Sequence, residues 1–350
     1  MNDIWSLPDW DDHEGVHFFR DPDSGLTAVI AIHSTALGPA AGGVRFWHYP
    51  GRADGVTDAL RLSRGMSYKN AMAGLPMGGG KGVVLAARPG DTITPAQLAA
   101  FGRAVQSLGG RYVTAEDVGM SEQRMKLIAA ETSYVSGLPV AEGAAGGDPG
   151  PYTAHGVHLG VTAAARRALG VEEMAGVHVA IQGVGSVGGG LARRLAKDGA
   201  KLTLADVDAD RARALAAELG ADCVPAGAIL GVEADIFSPN ALGAILTEAT
   251  IPTLSVKVVA GGANNQLATR EDYDRLHARG ILYAPDYVIN AGGIINVGLE
   301  YLGLGDEAEV MARIARIPER LAAIWDESDR TGASAAEVAD RQAQRLIGRG

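Results

Sequence analysis

Residues 178–188 read His-Val-Ala-Ile-Gln-Gly-Val-Gly-Ser-Val-Gly. A short apolar run ends at Gly183, glycines follow at 185 and 188, and a helical pattern runs on to Lys197. In a strand–Gly-x-Gly-x-x-Gly–helix unit the first glycine makes a tight turn. The second lets backbone approach a pyrophosphate, and the third lets helix and strand pack closely. The new helix then turns unpaired N–H groups and its positive end toward the phosphates. In a chain with 48 glycines a lone match means little, and the same turn also occurs as a plain packing device. The context adds weight: the next strand, Lys201–Asp206, ends in a carboxylate eighteen residues after Gly188. A carboxylate there accepts hydrogen bonds from ribose hydroxyls and repels a 2′-phosphate, so NAD is expected rather than NADP. Arg211 pulls the other way, because an arginine nearby accommodates such a phosphate. The candidate cofactor contacts are Gly183, Val184, Gly185, Ser186, Val187, Gly188, Asp206 and Arg211.

Outward from this loop the chain alternates. A helix is expected over Thr153–Leu169, a strand over Val177–Gln182, a helix over Val187–Lys197, a strand over Lys201–Asp206 and a helix over Asp208–Leu219. Further strands are expected near Ala234–Phe237, Val256–Ala260 and Ile281–Tyr283. Such alternation predicts a doubly wound parallel sheet of the Rossmann type. Upstream, the glycine- and proline-rich stretch 137–151 resists regular structure and marks a domain boundary. The expected division is 1–147, 148–325 and a C-terminal helical return, 326–350. In the first part Val16–Arg20 and Leu26–His33 predict a hairpin across Asp-Pro-Asp-Ser-Gly, followed by a helix from Asp54 to about Ala71. Gly78–Gly80 are expected to interrupt the chain before a strand that starts at Lys81. Thr94-Pro95-Ala96-Gln97 is a capping box with proline at the first helical position. A short strand at Arg111–Thr114 and a helix from Ser121 to Gly137 complete an α/β first domain.

Composition narrows the function. At 350 residues the chain can bury a large core, and its net charge of −10 argues against nucleic acid or an anionic membrane as a partner. The single cysteine, Cys223, excludes an intrachain disulfide and a Cys-cluster metal site, and no metal is expected. The N-terminal stretch is acidic without an apolar core segment, and no run of apolar residues is long enough to span a bilayer. A cytoplasmic location is expected.

Residues 66–84, MSYKNAMAGLPMGGGKGVV, carry Lys69 and Lys81 twelve apart. Two surface lysines would explain that spacing equally well. Lys81, however, stands between glycines in an uncharged, apolar stretch, where desolvation lowers an amine's pKa and suits it to general base work near neutral pH. The chain at this point resembles the amino acid dehydrogenase family of glutamate, leucine, valine and phenylalanine dehydrogenases. The resemblance rests on GPAAGGVR (38–45), YKNAMAGLPMGGGKG (68–82), TAEDVGM (114–120), GVGSVG (183–188), GGANNQL (261–267) and APDYVINAGGIINV (284–297).

The resemblance implies an NAD-dependent oxidative deamination of an L-amino acid to the 2-oxo acid and ammonia by a homo-oligomer. Its first domain would bind substrate and oligomerise. Lys69 would hold the α-carboxylate, Lys81 would activate water, and Asp117 would bind the amino group and carry its proton. Asp117 as a mere cap for the helix near Ser121 is the plainer alternative. Gly42 and Gly43 would let backbone approach the substrate. Asn264 would lie near the nicotinamide ribose and the substrate amino group, with Thr153 and Asn290 near the nicotinamide. For the last two, an N-cap and a strand-to-helix turn explain the residues nearly as well.

The side-chain pocket implied by resemblance comprises Ala41, Ala115, Ile294 and Val297. Glutamate dehydrogenases carry a lysine at the Ala41 position, and a buried carboxylate without a cation costs several kcal/mol, so glutamate is not expected. Branched-chain substrates are expected, with phenylalanine or another aromatic amino acid as the alternative because Ala41 is small. A non-catalytic nucleotide-binding sensor of the same fold would have lost Lys69, Lys81 or Asp117; all three are present.

Overall fold

The structure, a computed structural model, describes residues 4–7, 9–138, 145–241 and 243–349. Residues 139–144 of the expected boundary segment fall outside these. The chain divides into two compact units. One comprises Met1–Gly147, Ile295–Glu307 and Ala343–Gly350; the other comprises Asp148–Ile294 and Ala308–Gln342.

The first unit holds a five-stranded sheet of β1 (Gly15–Asp21), β2 (Leu26–Ser34), β3 (Ala40–Trp47), β4 (Gly78–Leu85) and β5 (Tyr112–Glu116), in the order β1-β2-β4-β3-β5. β1 and β2 form the expected hairpin and β4 runs antiparallel to β2, whereas β3 is parallel to both β4 and β5. Side chains alternate between the two faces of a strand. The even-numbered Ala40, Val44, Phe46, Val84 and Tyr112 pack with Phe101 of helix α2 in one core. The odd-numbered Val83 packs with Ala31, Ala59 and Leu60 on the side of helix α1. Here α1 is Arg52–Met72 and α2 is Pro95–Ser107. Thr94 caps α2 as expected, accepting from the Gln97 amide while Gln97 accepts from the Thr94 amide.

Three local expectations need correction. β3 was not foreseen, because Gly42-Gly43 depress strand propensity at its centre. Gly78–Gly80 do not interrupt the chain but belong to β4. They are glycines because neighbours leave no room: a Cβ at Gly79 would lie 2.0 Å from the Ser67 amide of α1, and one at Gly78 1.9 Å from the Ser34 carbonyl. Helix α3, Glu122–Ala129, ends well before Gly137. Beyond it Tyr134 and Ser136 bond to the backbone of Thr114, drawing the chain alongside β5.

The second unit opens with α4 (Gly150–Leu169). It then alternates β6 (His178–Gln182), α5 (Ser186–Lys197), β7 (Lys201–Ala205), α6 (Ala209–Leu219) and β8 (Asp222–Cys223), followed by β9 (Ile236–Pro239), β10 (Val258–Val259) and β11 (Leu282–Tyr283). All pairings are parallel and the order is β8-β7-β6-β9-β10-β11. The chain thus starts mid-sheet at β6, winds to one edge, and returns to build the other half from β9. The change of direction falls between β6 and β9, where a doubly wound sheet leaves a crevice for ligands.

The C-terminal return is shorter than expected. Residues 326–342 stay with the second unit, where Ala336 joins a core with Leu276 and Tyr283, and Asp340 accepts from the Tyr287 hydroxyl. Only Ala343–Gly350 belongs to the first unit. There Gln344 donates to the Tyr68 hydroxyl and Arg349 donates to the backbone carbonyls of Asp11, Asp12 and His33. Among the described residues no helix is long and apolar enough to cross a membrane, and no His/Cys/Asp/Glu group could hold a metal ion.

Candidate active site

The parallel registers of β3, β4 and β5 bring the lysine motif and two others together. Gly43 pairs with Ala115 and Val44 with Gly82. Alternation therefore puts Ala41, Gly43 and Arg45 of β3, Lys81 of β4, and Ala115 of β5 on the α1 face. Asp117, one residue beyond β5, follows on the same face. Lys81 is buried, with 5% of its surface exposed, and its Nζ donates to Asp117 Oδ2 at 2.6 Å. Arg45 Nε donates to the same oxygen at 3.0 Å. Burial lowers the Lys81 pKa, partly offset by Asp117. Burial would raise Asp117, but Lys81 and Arg45 together hold its carboxyl below the ordinary range. The alternative role for Asp117 is absent: Ser121 is the side chain that caps α3, accepting from the Arg124 amide.

Gly42 and Gly43 are packed closely by their neighbours. A Cβ at Gly42 would lie 1.8 Å from the Gly80 carbonyl, and one at Gly43 2.6 Å from the Glu116 carbonyl. The space their side chains would take is filled by neighbouring strands, so these glycines let β3 settle close beside Lys81 and Asp117. Lys69 lies half-buried on α1, as does Ala115 on β5. Ile294 and Val297 are half-buried one turn apart on the helix Gly292–Leu302. A separate cavity of about 570 Å³ in the first unit is bounded by Phe46, His48, Tyr49 and Leu85, without Lys81 or Asp117 in its walls.

In the second unit the glycine loop lies at the switch point. Gly183 has φ +83°, a conformation that favours glycine, and a Cβ at Gly188 would lie 1.9 Å from the Gly183 carbonyl. At Gly185 nothing stands within 4 Å of the Cβ position, so the loop backbone is open there. Ser186 and Val187 begin α5, with Gly185 at its N-cap position and no side chain capping it. Asp206 is buried. Its Oδ2 accepts from the Val184 amide at 2.7 Å, and its Oδ1 accepts from the Asp208 amide at 2.9 Å and from Arg211 at 2.8 Å. Burial pushes its carboxyl up, but Arg211 and the two amides keep it below the usual range. Asp206 thus ties the glycine loop to the end of β7 and holds Arg211 on its outer side. These features fit a dinucleotide: a glycine turn without free space for side chains at 183 and 188, open space at 185, and an ionised carboxylate at the neighbouring strand end.

Across the switch point Asn290 donates to Asn264 Oδ1 at 2.8 Å and to the Gly262 carbonyl at 3.2 Å, and its own Oδ1 is buried without a partner. Thr153 is not an N-cap: it lies in the first turn of α4, with its hydroxyl on the Pro149 carbonyl at 2.9 Å. Two polar residues escaped the sequence reading. Asn240 accepts from the Gly262 amide at 2.8 Å, and Gln266 donates to the carbonyls of Gly261 and Ala263. Asn240 holds the Gly261–Gln266 loop to the end of β9, and Gln266 braces the loop from within. The signal for Asn240 was its place immediately after the first strand beyond the switch. Arg45 was missed as well; a lone arginine between Val44 and Phe46 in an alternating strand calls for an anion on the opposite face.

The chain is similar to known proteins over most of its length. Residues 13–134 match the model of the Glu/Leu/Phe/Val dehydrogenase dimerisation domain, and residues 203–346 match that of glutamate/leucine/phenylalanine/valine dehydrogenase. A leucine dehydrogenase from Geobacillus stearothermophilus is 46% identical over 96% of this chain and 91% of its own length. A valine dehydrogenase from Streptomyces albus is 45% identical over 96% of this chain and 92% of its own. The crystal structure of L-tryptophan dehydrogenase from Nostoc punctiforme superposes with a TM-score of 0.84 at 39% identity, covering 96% of both chains.

Proposed function

The chain belongs to the glutamate/leucine/phenylalanine/valine dehydrogenase family of nicotinamide-dependent enzymes, and on that premise we propose that it deaminates branched-chain L-amino acids oxidatively with NAD. The observation that carries the proposal is Lys81, a buried amine bonded at 2.6 Å to a carboxylate that a second cation keeps ionised. On this reading Lys69 takes the substrate α-carboxylate and Asp117 its ammonium group. The nicotinamide, when bound, supplies the acceptor for the α-hydride. Asp117 accepts the proton that the ammonium sheds. Lys81 removes a proton from the water that attacks the iminium carbon, and the ammonium so formed stabilises the carbinolamine oxygen. A general base of this kind contributes roughly 10²–10⁴ in rate. Asp117 returns its proton to the carbinolamine nitrogen, the C–N bond breaks as the hydroxyl proton is lost to solvent, and the products are the 2-oxo acid, ammonia and NADH; the same groups serve the reverse reaction.

Asp206 supports NAD: an ionised, buried carboxylate at the end of β7 repels a 2′-phosphate. Gly183–Gly188 would hold the pyrophosphate, and Asn264, Thr153 and Asn290 the nicotinamide end. Ala41, Ala115, Ile294 and Val297 would form an uncharged side-chain pocket, which excludes glutamate. The match of residues 13–134 to a dimerisation domain supports a homo-oligomer, as does β1, an edge strand with Phe18 62% exposed. The lone exposed Cys223 suits a reducing cytoplasm.

A second reading, an aromatic amino acid as substrate, is favoured by the small Ala41 and by the likeness to the L-tryptophan dehydrogenase. Initial rates of NADH formation with leucine, isoleucine, valine, phenylalanine and tryptophan separate the two. We expect kcat/KM to be highest for a branched-chain substrate. The highest value with an aromatic substrate would transfer the assignment, and no turnover with any of them would overturn the enzyme.

A further inference from the structure

Behind Asp117 the charges continue into the protein. Arg45 Nη1 donates to Asp58 Oδ2 at 2.8 Å, and Asp58 also accepts from the Tyr49 hydroxyl at 2.6 Å and from Arg61 at 2.9 Å. Asp58 is buried, 8% exposed, on the second turn of α1. One guanidinium therefore spans two carboxylates, Asp117 at the reacting end and Asp58 at the anchored end. Signs alternate along the row from Lys81 through Asp117, Arg45 and Asp58 to Arg61. We infer that Arg45 is a positioning residue for the Lys81–Asp117 pair and that Asp58 is its anchor.

Two consequences follow from the geometry. Lys81 Nζ and Arg45 Nε share a single carboxylate oxygen, so the cations are no more than about 6 Å apart. Lys81 consequently does not hold Asp117 alone: part of the carboxylate's charge is satisfied by a group that cannot lose its proton. A lysine facing an unshared carboxylate in a buried site would keep its proton tightly; sharing the carboxylate with Arg45 favours the free amine. Arg45 also orients the carboxylate through a planar, charge-assisted contact at 3.0 Å, which a lysine could not reproduce while still reaching Asp58.

The surroundings of Lys81 contain few other charges that could account for such an effect. Arg45 comes from β3, Asp117 from the end of β5, and Asp58, Arg61 and Lys69 from α1. His33 on β2 turns to Ser67 and Asp11, while Arg64 of α1 turns to Asp9. On the other face of the sheet Tyr112 is bonded to the Gly42 carbonyl, and Glu116 follows the same alternation.

This inference rests on the dehydrogenase reading, so the wild-type enzyme is assayed first with its best amino acid substrate and NAD. Absence of wild-type turnover overturns that reading, not this one. Given turnover, the pH profile of kcat/KM is recorded for wild type, Arg45→Gln, Arg45→Lys and Asp58→Asn. NADH affinity and melting temperature serve as controls. Arg45→Gln should lower kcat and move the acidic limb to higher pH by about one unit or more, because the free amine of Lys81 loses its neighbouring cation. Arg45→Lys should restore the limb without restoring kcat in full. Asp58→Asn should move the limb the opposite way and by less, since it removes an anion from the row. Arg45 and Asp58 variants that leave the limb in place, with kcat falling only in step with melting temperature, would show a purely structural network and overturn the inference. If Arg45→Gln does not fold, the Asp58→Asn and Arg45→Lys profiles decide it alone.

Discussion

The charged cluster on β3, β4 and β5 and the loop after β6 both rely on glycine, but the absent side chains do opposite things. At Gly42, Gly43 and Gly79 the missing Cβ is replaced at once by backbone of a neighbouring strand or helix. The result is a close-packed patch in which Lys81 is buried against the half-buried Asp117 and Arg45. At Gly185 the missing Cβ leaves nothing within 4 Å, and the backbone lies open. One region uses glycine to bring strands close around a buried Lys81, whose pKa burial lowers. The other uses it to leave backbone open at Gly185, where the proposed cofactor would lie. If the charged patch carries the proposed chemistry and the open loop the cofactor, substitutions in the two units should separate them.

The largest effect on the binding side is expected at Gly188. In Gly188→Ala the new Cβ would meet the Gly183 carbonyl at 1.9 Å, and backbone cannot yield as a flexible side chain does. The loop must move or the helix must shift, at a cost of about 1–3 kcal/mol. NADH affinity, read by fluorescence titration, should fall roughly tenfold or more, 1.4 kcal/mol being one decade. Unchanged affinity would mean that the close turn is not part of the cofactor site. A smaller effect is expected from Asp206→Ser, which removes the carboxylate but leaves a hydroxyl for the Val184 amide. The ratio of kcat/KM for NAD to that for NADP should fall several-fold, up to about tenfold. Because Arg211 would be released from Asp206, part of the change should appear as improved use of NADP. A constant ratio would remove Asp206 from cofactor selection and leave it only the role of tying the loop to β7.

The difference between the two regions also explains what could be read from the sequence. The loop at 183–188, the strands on either side of it and the carboxylate at 206 are neighbours along the chain, so periodicity and spacing were enough to find them. Lys81 was legible for a local reason as well, a cation among glycines. Of its partners, Asp117 was reached only through the family resemblance and Arg45 not at all. Asp117 is 36 residues away and Arg45 reaches Asp117 across 72, so only the parallel pairing of β3, β4 and β5 brings them onto one face. β3 itself was hidden by Gly42-Gly43, whose need for close strand approach is invisible until the neighbours are in place. Asn240 and Gln266 were missed for the same reason: each holds backbone of the Gly261–Gln266 loop, a task without a sequence periodicity. Ends of elements were moved by tertiary contacts, as at α3, where bonds to Thr114 pull the chain out of the helix.

The most direct test of the whole account is Lys81→Ala, measured twice on the same preparation: kcat for oxidative deamination of the best substrate, and Kd for NADH. A fall in kcat of about a thousandfold is expected, with NADH affinity close to that of wild type. Retained turnover would remove Lys81 from the chemistry. Equal loss of turnover and NADH binding would contradict the separation of a charged reactive patch from an open backbone cradle.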